Sequence, residues 1–567
     1  AGCVVASRLA EDPKVNVLVL EAGYSDEIPS SRAPLLSMFN IDSSKDWRYR
    51  TVPQVHANGR ILKQPRGKIF GGSSSINAMM YVRGAHSDYD EWESLGNPGW
   101  SYGECLPYFK KPEGFNDPNL PSSPRQGSTY EAYEPTYHGT EGPWQVGFQY
   151  THKFTEKFIE ANVAEGVPFN KDCNGHTNLG VTLIQRFVQR DGVRSSLARA
   201  FLKGKNIVPG GGERGRIRVV YGANISRILT QTRKGVKTAY GVEFLDHRNV
   251  QRRVLATKEV LLCAGAFGSP HLLLASGIGP SRQPSIPHVH TLPGVGANLE
   301  DHIRMEIVFR ASTVHDTGMN IYNLLPTVLN YKLRGAGVLS SNGIEGAAFL
   351  RLEDIVPDFV EREKANGTYK ERASGPDAPH VEIIVYPFDF EAHGEKMALH
   401  PEEYYSLVVS LLHPCSSGTV TIRPKMQKSG SSAVEWETVI DPNYFSDPFD
   451  LRVVAETIKF IRKLGRRLSQ DPEVGGQEVF PGEEAVPDHD DAKLQDFVRQ
   501  NCNTIYHPTG TCRMGPASDP LAVVDHRLNV HGVENLRVID ASVMPKIPGC
   551  HTCAPTVMIA EKGSDFI

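Results

Sequence analysis

The sequence predicts an α/β protein in which a Rossmann-like dinucleotide-binding body is interleaved with a second body of strands and helices. Three observations carry that prediction. The chain opens on a helical stretch, residues 1–10, which runs into an apolar strand at 15–20 and ends in an acid and a glycine, Glu21-Ala22-Gly23. Helix, strand and strand-end acid in that order form the second half of a βαβ dinucleotide-binding unit. Similar material returns at 216–279, with strands expected at 217–221 and 260–263, and again from Arg537 to the end, with a strand at 536–539 and a helix around 557–562. Between these stretches lie strand-like runs at 380–386, 405–412 and 419–422 and a helical run at 451–468.

Each element carries an expected role. Gly2 stands where the third glycine of G-x-G-x-x-G would fall, with the preceding strand and first two glycines lying before the chain begins. A secretory leader therefore cannot be judged, and the compartment is left open. Glu21 is placed to accept hydrogen bonds from the ribose hydroxyls of an adenine dinucleotide. As a lone feature it fits a solvated strand end too, and it does not separate NAD from FAD. The run Gly71-Gly72-Ser73-Ser74-Ser75 lets the backbone approach a pyrophosphate and presents amide and hydroxyl donors. The Pro/Ser/Gly-rich segment 116–137 reads as a surface loop.

Composition narrows the function classes. Of 567 residues, 40% are hydrophobic and 22% charged, ordinary globular usage that excludes a disordered or coiled-coil chain. A net charge of −4 leaves no basic footprint for nucleic acid. The longest apolar runs, such as 15–20 and 272–275, are too short to span a bilayer. Nine scattered cysteines do not make a disulfide framework. Cys550 and Cys553 form a C-x-x-C near the end of the chain, where a thioredoxin-like motif is out of place, and a zinc site there would need a fourth ligand. Two sequons, at Asn224 and Asn366, decide little about secretion.

Longer motifs identify a family. Residues 67–90, including Asn77, Tyr81, Gly84 and Asp90, resemble the first signature of the glucose-methanol-choline (GMC) oxidoreductases, with Phe70 where the family has an aliphatic residue or Trp. Residues 265–279 resemble the second signature. The resemblance implies an FAD-binding domain (1–90, 191–310 and 500–567) interleaved with an antiparallel-sheet-plus-helices substrate domain (91–190 and 311–499). It assigns Gly2, Glu21, Gly23, Gly71, Gly72, Ser73, Asn77, Ala78, Ile225, Asp540, Ala541 and Thr552 to the cofactor, with Asp540 and Ala541 at the ribityl–phosphate arm. His507 and His551 match the family's active-site pair. His507 is expected nearest the substrate hydroxyl and flavin N5, while His551 is expected to hold the hydroxyl oxygen. An imidazole suits a base at neutral pH because its pKa lies near 6.5.

The reaction implied is oxidation of a small alcohol to a carbonyl by hydride transfer to flavin, with oxygen or another acceptor reoxidising it. Ile76 stands where relatives with covalent flavin carry His, so non-covalent FAD is expected. Ala78 follows Asn77 where aryl-alcohol oxidases tend to be aromatic. Two rivals stand beside this reading: a non-redox lyase or cyclase keeping FAD as scaffold, and a nicotinamide dehydrogenase, which Glu21 alone would allow but the paired signatures oppose. The identity of the alcohol lies beyond motifs that many substrates share.

Overall fold

Parallel pairing organises the cofactor side. The computed structural model describes residues 1–117, 128–148, 150–203, 207–209, 216–280, 285–311, 324–390, 403–425 and 435–567. The opening helix Gly2–Leu9 buries Val4 and Val5 and leads to the strand Val17–Glu21, which places Glu21 on the strand's last residue. That strand pairs in parallel with Ile217–Tyr221, which pairs in parallel with Ile207–Pro209. A second parallel pair joins Val260–Leu262 to Leu536–Val538. Aliphatic runs suit such strands because helices cover them. Here Gly265–Ala275 and Cys553–Asp565 share their apolar core with Val219, Leu262 and Val538.

The second body is antiparallel. Among the described residues its sheet has seven strands, with Gln477–Phe480, Ile303–Arg310, Tyr404–Leu411, Val381–Tyr386, Gly346–Leu350 and Gly180–Leu183 in that order and Asn503–Thr504 beside Ile303–Arg310. The helix Pro448–Gln470 covers it with Val454, Ile458 and Ile461. Asp447 starts that helix by accepting the Phe449 amide at 3.0 Å, and Pro448 sits at the first helical position, where its missing N–H costs nothing. These start signals explain why the helix begins three residues before the 451 suggested by its apolar pattern.

The cores do not follow the segment boundaries expected from sequence. Ile303–Arg310 and Asn503–Thr504 fall within the segments 191–310 and 500–567, yet both pair in the antiparallel sheet. Trp92, Trp100, Phe109 and Trp144, from 91–190, are buried in the cofactor-side core. The strand Glu113–Asn116 opens the expected surface loop and pairs with Trp144–Gly147. The middle of that loop, 118–127, lies outside the described residues. No helix of the described residues is long and apolar enough to cross a membrane.

A glycine inside the long helix tests how tightly the sheet is covered. A Cβ at Gly465 would lie 2.2 Å from the Phe309 ring, which stacks on Tyr405 at 4.9 Å between centroids. Gly465→Ala should therefore destabilise by about 1–3 kcal/mol despite better helix propensity. A thermal melt should show a lower midpoint, and adding Phe309→Leu should recover part of the loss. A raised midpoint for the single variant would mean that Phe309 does not press on the helix.

Candidate active site

The glycine–serine run forms a tight backbone loop. Gly71 and Gly72 hold φ of +90° and +59°, in the left-handed region that side chains disfavour. The short helical turn Gly72–Ser75 follows, fastened by Ser75 Oγ donating to the Phe70 carbonyl at 2.7 Å. Glu21 lies beside the turn that joins the strands Ile217–Tyr221 and Asn224–Arg233. Its Oε1 accepts the Gly23 amide at 2.7 Å, and its carbonyl accepts the Ala223 amide at 2.9 Å, which brings the segment Ala223–Ile225 against it. Burial pushes the Glu21 carboxyl up to about 7, against the pull of the Gly23 and Ala22 amides and of Lys68.

One cavity of about 2410 Å³ connects these features. Its wall includes Gly2, Glu21, Gly71, Gly72, Ser73, Asn77, Ala78, Ile225, Asp540, Ala541 and Thr552, together with His507 and His551. Gly23 is off the wall and serves through its amide on Glu21. Roughly 300–1,000 Å³ holds an ordinary small ligand. This cavity has room for a dinucleotide and a substrate together. The donors also fit an FAD: a strand-end carboxylate for ribose and a glycine–serine loop for pyrophosphate. Two expected contacts are modified by the geometry. The Asp540 carboxylate is engaged inside the protein, accepting from Gly265 N at 2.9 Å, from Ser269 Oγ and from Ser542 N at 2.9 Å. Asp540 would thus reach a ligand through its backbone. Asn77 Oδ1 accepts from Arg194 at 2.8 Å and from the Met79 amide at 3.2 Å, and its side chain also hydrogen-bonds Cys553, so it is held in place at the cavity wall.

The two histidines meet edge to face, with ring centroids 4.7 Å apart and planes at 87°. They are 7% and 8% exposed, and that remainder faces the cavity. Sequence reasoning missed the residues that hold them. His302 Nδ1 lies 2.9 Å from His507 Nδ1, and Glu382 Oε1 lies 3.0 Å from His551 Nε2. His302 and Glu382 are fully buried. The His507 backbone amide donates to Asp301 Oδ1 at 2.9 Å, and Asp301 Oδ2 also accepts from Thr504 at 2.7 Å and from Tyr444. Glu300 anchors the other loop, accepting Lys546 Nζ at 2.9 Å and the Ile547 amide at 2.8 Å. Burial, with His551, His302 and Arg66 nearby, holds His507 well below the usual imidazole value. Burial does the same to His302.

Known proteins share this design. A family model described as GMC oxidoreductase matches residues 5–304, and a second with that description matches 414–560. The alcohol dehydrogenase [acceptor] of Pseudomonas putida is 34% identical over 581 residues, covering 100% of this chain and 94% of its own. Human mitochondrial choline dehydrogenase is 33% identical over 583 residues, covering 100% of this chain and 88% of its own. A variant of Aspergillus oryzae RIB40 formate oxidase studied for FAD modification superposes with a TM-score of 0.86 at 28% identity, covering 100% of this chain and 96% of that one. The chain belongs to the GMC oxidoreductase family. It is an FAD-dependent oxidoreductase of the alcohol-oxidising kind.

Glu21 makes a pH-dependent prediction. Ribose hydroxyls donate to the ionised carboxylate, so FAD binding should expel a proton from a group that titrates near 7 in the empty site. FAD affinity should therefore weaken as pH falls from 8 to 5.5. Glu21→Gln should bind about tenfold or more weakly at pH 8 and lose the pH dependence, since a charge-assisted bond contributes about 1.5–3 kcal/mol. Fluorescence titration of the deflavinated protein reads both effects. Equal affinity in the two proteins at pH 8 would leave Glu21 a mere strand end.

Proposed function

We propose that the protein oxidises a small alcohol at the inner end of this cavity, with His507 as the base and His551 as the partner of the substrate oxygen. The observation that carries the reading is the buried His507 beside His551 on the wall of the cavity that also holds the FAD donors. When bound, FAD supplies the hydride acceptor. Residues Gly71 to Ser73 and Glu21 would hold it, without a covalent link because Ile76 offers no attachment.

His507 needs a free nitrogen toward the substrate. Because burial keeps both His302 and His507 neutral, one of the facing Nδ1 atoms must carry the shared proton. The Leu412 carbonyl acts on His302 as an acceptor, although no hydrogen bond fixes His302 Nε2. A proton on that nitrogen leaves His302 Nδ1 to accept from His507 Nδ1–H. His507 Nε2 then keeps a lone pair and takes the hydroxyl proton. Glu382 engages His551 at Nε2, so Nδ1 of His551 is left for the substrate oxygen. His551 holds the developing alkoxide from that side, its ring kept in place by Glu382. Burial strengthens this contact by excluding water.

Anaerobic stopped-flow reduction by one reactive alcohol tests these roles. His507→Ala should slow reduction about 10²–10⁴-fold while FAD content is kept. His551→Ala should also slow it, and His551→Asn should recover part of the rate by restoring a donor. His507→Asn should recover nothing comparable, because that position takes up a proton. In the parent enzyme the rate should hold steady from pH 8 to 6, since His507 protonates only well below its usual value. Rescue by Asn at 507 and not at 551 would reverse the roles. Wild-type rates in every variant would remove the pair from catalysis.

A further inference from the structure

The inner cavity wall carries a cation that the proposed chemistry does not use. Arg304 follows His302 by two residues as the chain enters the strand Ile303–Arg310. In extended backbone, residues two apart share a face, about 6.6 Å apart along the strand. His302 touches His507, and both His507 and Arg304 line the cavity. Arg304 is 1% exposed. Its Nη1 donates to Glu306 Oε2 at 2.8 Å, while Nη2 is buried with no hydrogen-bond partner among the described residues. Glu306 is not on the cavity wall, so the pair presents its positive end to the cavity.

The neighbours of Arg304 are aromatic. Its guanidinium sits over the Phe390 ring at 4.8 Å, and Phe390 stacks on Tyr386 at 4.0 Å between centroids. Tyr386, Phe390 and Tyr506 line the same cavity, as does Ile344. A buried N–H of a charged group left without an acceptor is costly, so this nitrogen calls for an oxygen partner from the cavity. A water can serve while the cavity is free of substrate. A ligand oxygen placed there replaces it at no loss. A cationic ligand would instead meet an unscreened positive edge in a site of low polarity.

Resting on the alcohol-oxidation reading above, we propose that Arg304 is a specificity-determining residue that receives a second oxygen of the substrate. The substrates it selects are alcohols carrying an ether, hydroxyl, carbonyl or carboxylate oxygen remote from the oxidised carbon. Quaternary-ammonium alcohols are disfavoured by the same guanidinium. One small molecule would span both groups, its hydroxyl at His507 and its acceptor oxygen at Arg304 Nη2, since both line one cavity. The aromatic wall packs the body between them.

Matched pairs of alcohols on the holoenzyme test this. The pairs are 3-methoxy-1-propanol with 1-pentanol, 4-methoxybenzyl with 4-ethylbenzyl alcohol, and 3,3-dimethyl-1-butanol with choline. Anaerobic flavin reduction should favour the ether of the first two pairs by about tenfold or more, the size of a hydrogen bond to a charged donor, and 3,3-dimethyl-1-butanol over choline through repulsion between the two cations. Arg304→Met combined with Glu306→Met removes both charges without stranding a buried carboxylate. It should bring the ether ratios close to unity and narrow the choline gap. Arg304→Lys should still reject choline but lose much of the ether preference. Dissociation constants of the unreactive 4-methoxytoluene and 4-ethyltoluene, read from flavin absorbance, give the same ratio without turnover. If no alcohol reduces the flavin, the alcohol reading fails, and these constants still decide the role of Arg304. Equal ratios in parent and variants, or a preference for choline, would overturn the proposal.

Discussion

Three neighbouring side chains, Glu300, Asp301 and His302, hold both histidine loops in place. Asp301 gathers the His507 amide and the Thr504 and Tyr444 hydroxyls onto one buried carboxylate. Glu300 holds the Lys546–Ile547 segment that leads toward His551, and its backbone exchanges bonds with Thr509. His302 meets His507 directly. The next residue begins a strand of the antiparallel sheet. The sheet therefore fixes where the imidazoles stand relative to the cofactor-side loops. Burial raises the Asp301 carboxyl even though these donors oppose the rise. Losing one donor would leave a buried acceptor short of partners, a loss of about 1–3 kcal/mol.

Burial serves chemistry here as well as stability. In water an imidazole near pH 6.5 would be partly protonated and a poor base. Enclosed among His302, His551 and Arg66, His507 stays neutral, because a second positive charge there would be both unsolvated and repelled. Glu382 answers on the other side with a buried carboxylate against His551. The two rings touch, yet their partners differ in charge. In the proposed reaction such asymmetry would let His507 take up a proton while His551 holds the substrate oxygen.

Much of this was legible in the residues, and the remainder shows what local pattern omits. The strand at Val17–Glu21, the glycine–serine loop and both histidines stand in contiguous motifs, and the structure brings them onto one cavity wall. Glu382 and His302 lie 169 and 205 residues from their partners, within strands or strand entrances that read only as apolar alternation. Their meaning is created by sheet pairing, which no window of sequence contains. Arg304 was hidden for the same reason. The segment boundaries also escaped, because Trp92 on the short helix His86–Ser94 and Trp100 just before the helix Tyr102–Lys110 read as buried without any sign of which core they join.

In the proposed reaction the cavity wall around His507 and His551 prepares an alcohol for hydride loss to FAD. Anaerobic single-turnover reduction with an alcohol and its α-deuterated form measures that step directly. The alcohol should bleach the flavin, and deuterium should slow the bleaching by a primary isotope effect. One carbonyl product should appear per flavin reduced. A flavin that stays oxidised with every alcohol while the protein still transforms one of them would contradict the proposed reaction.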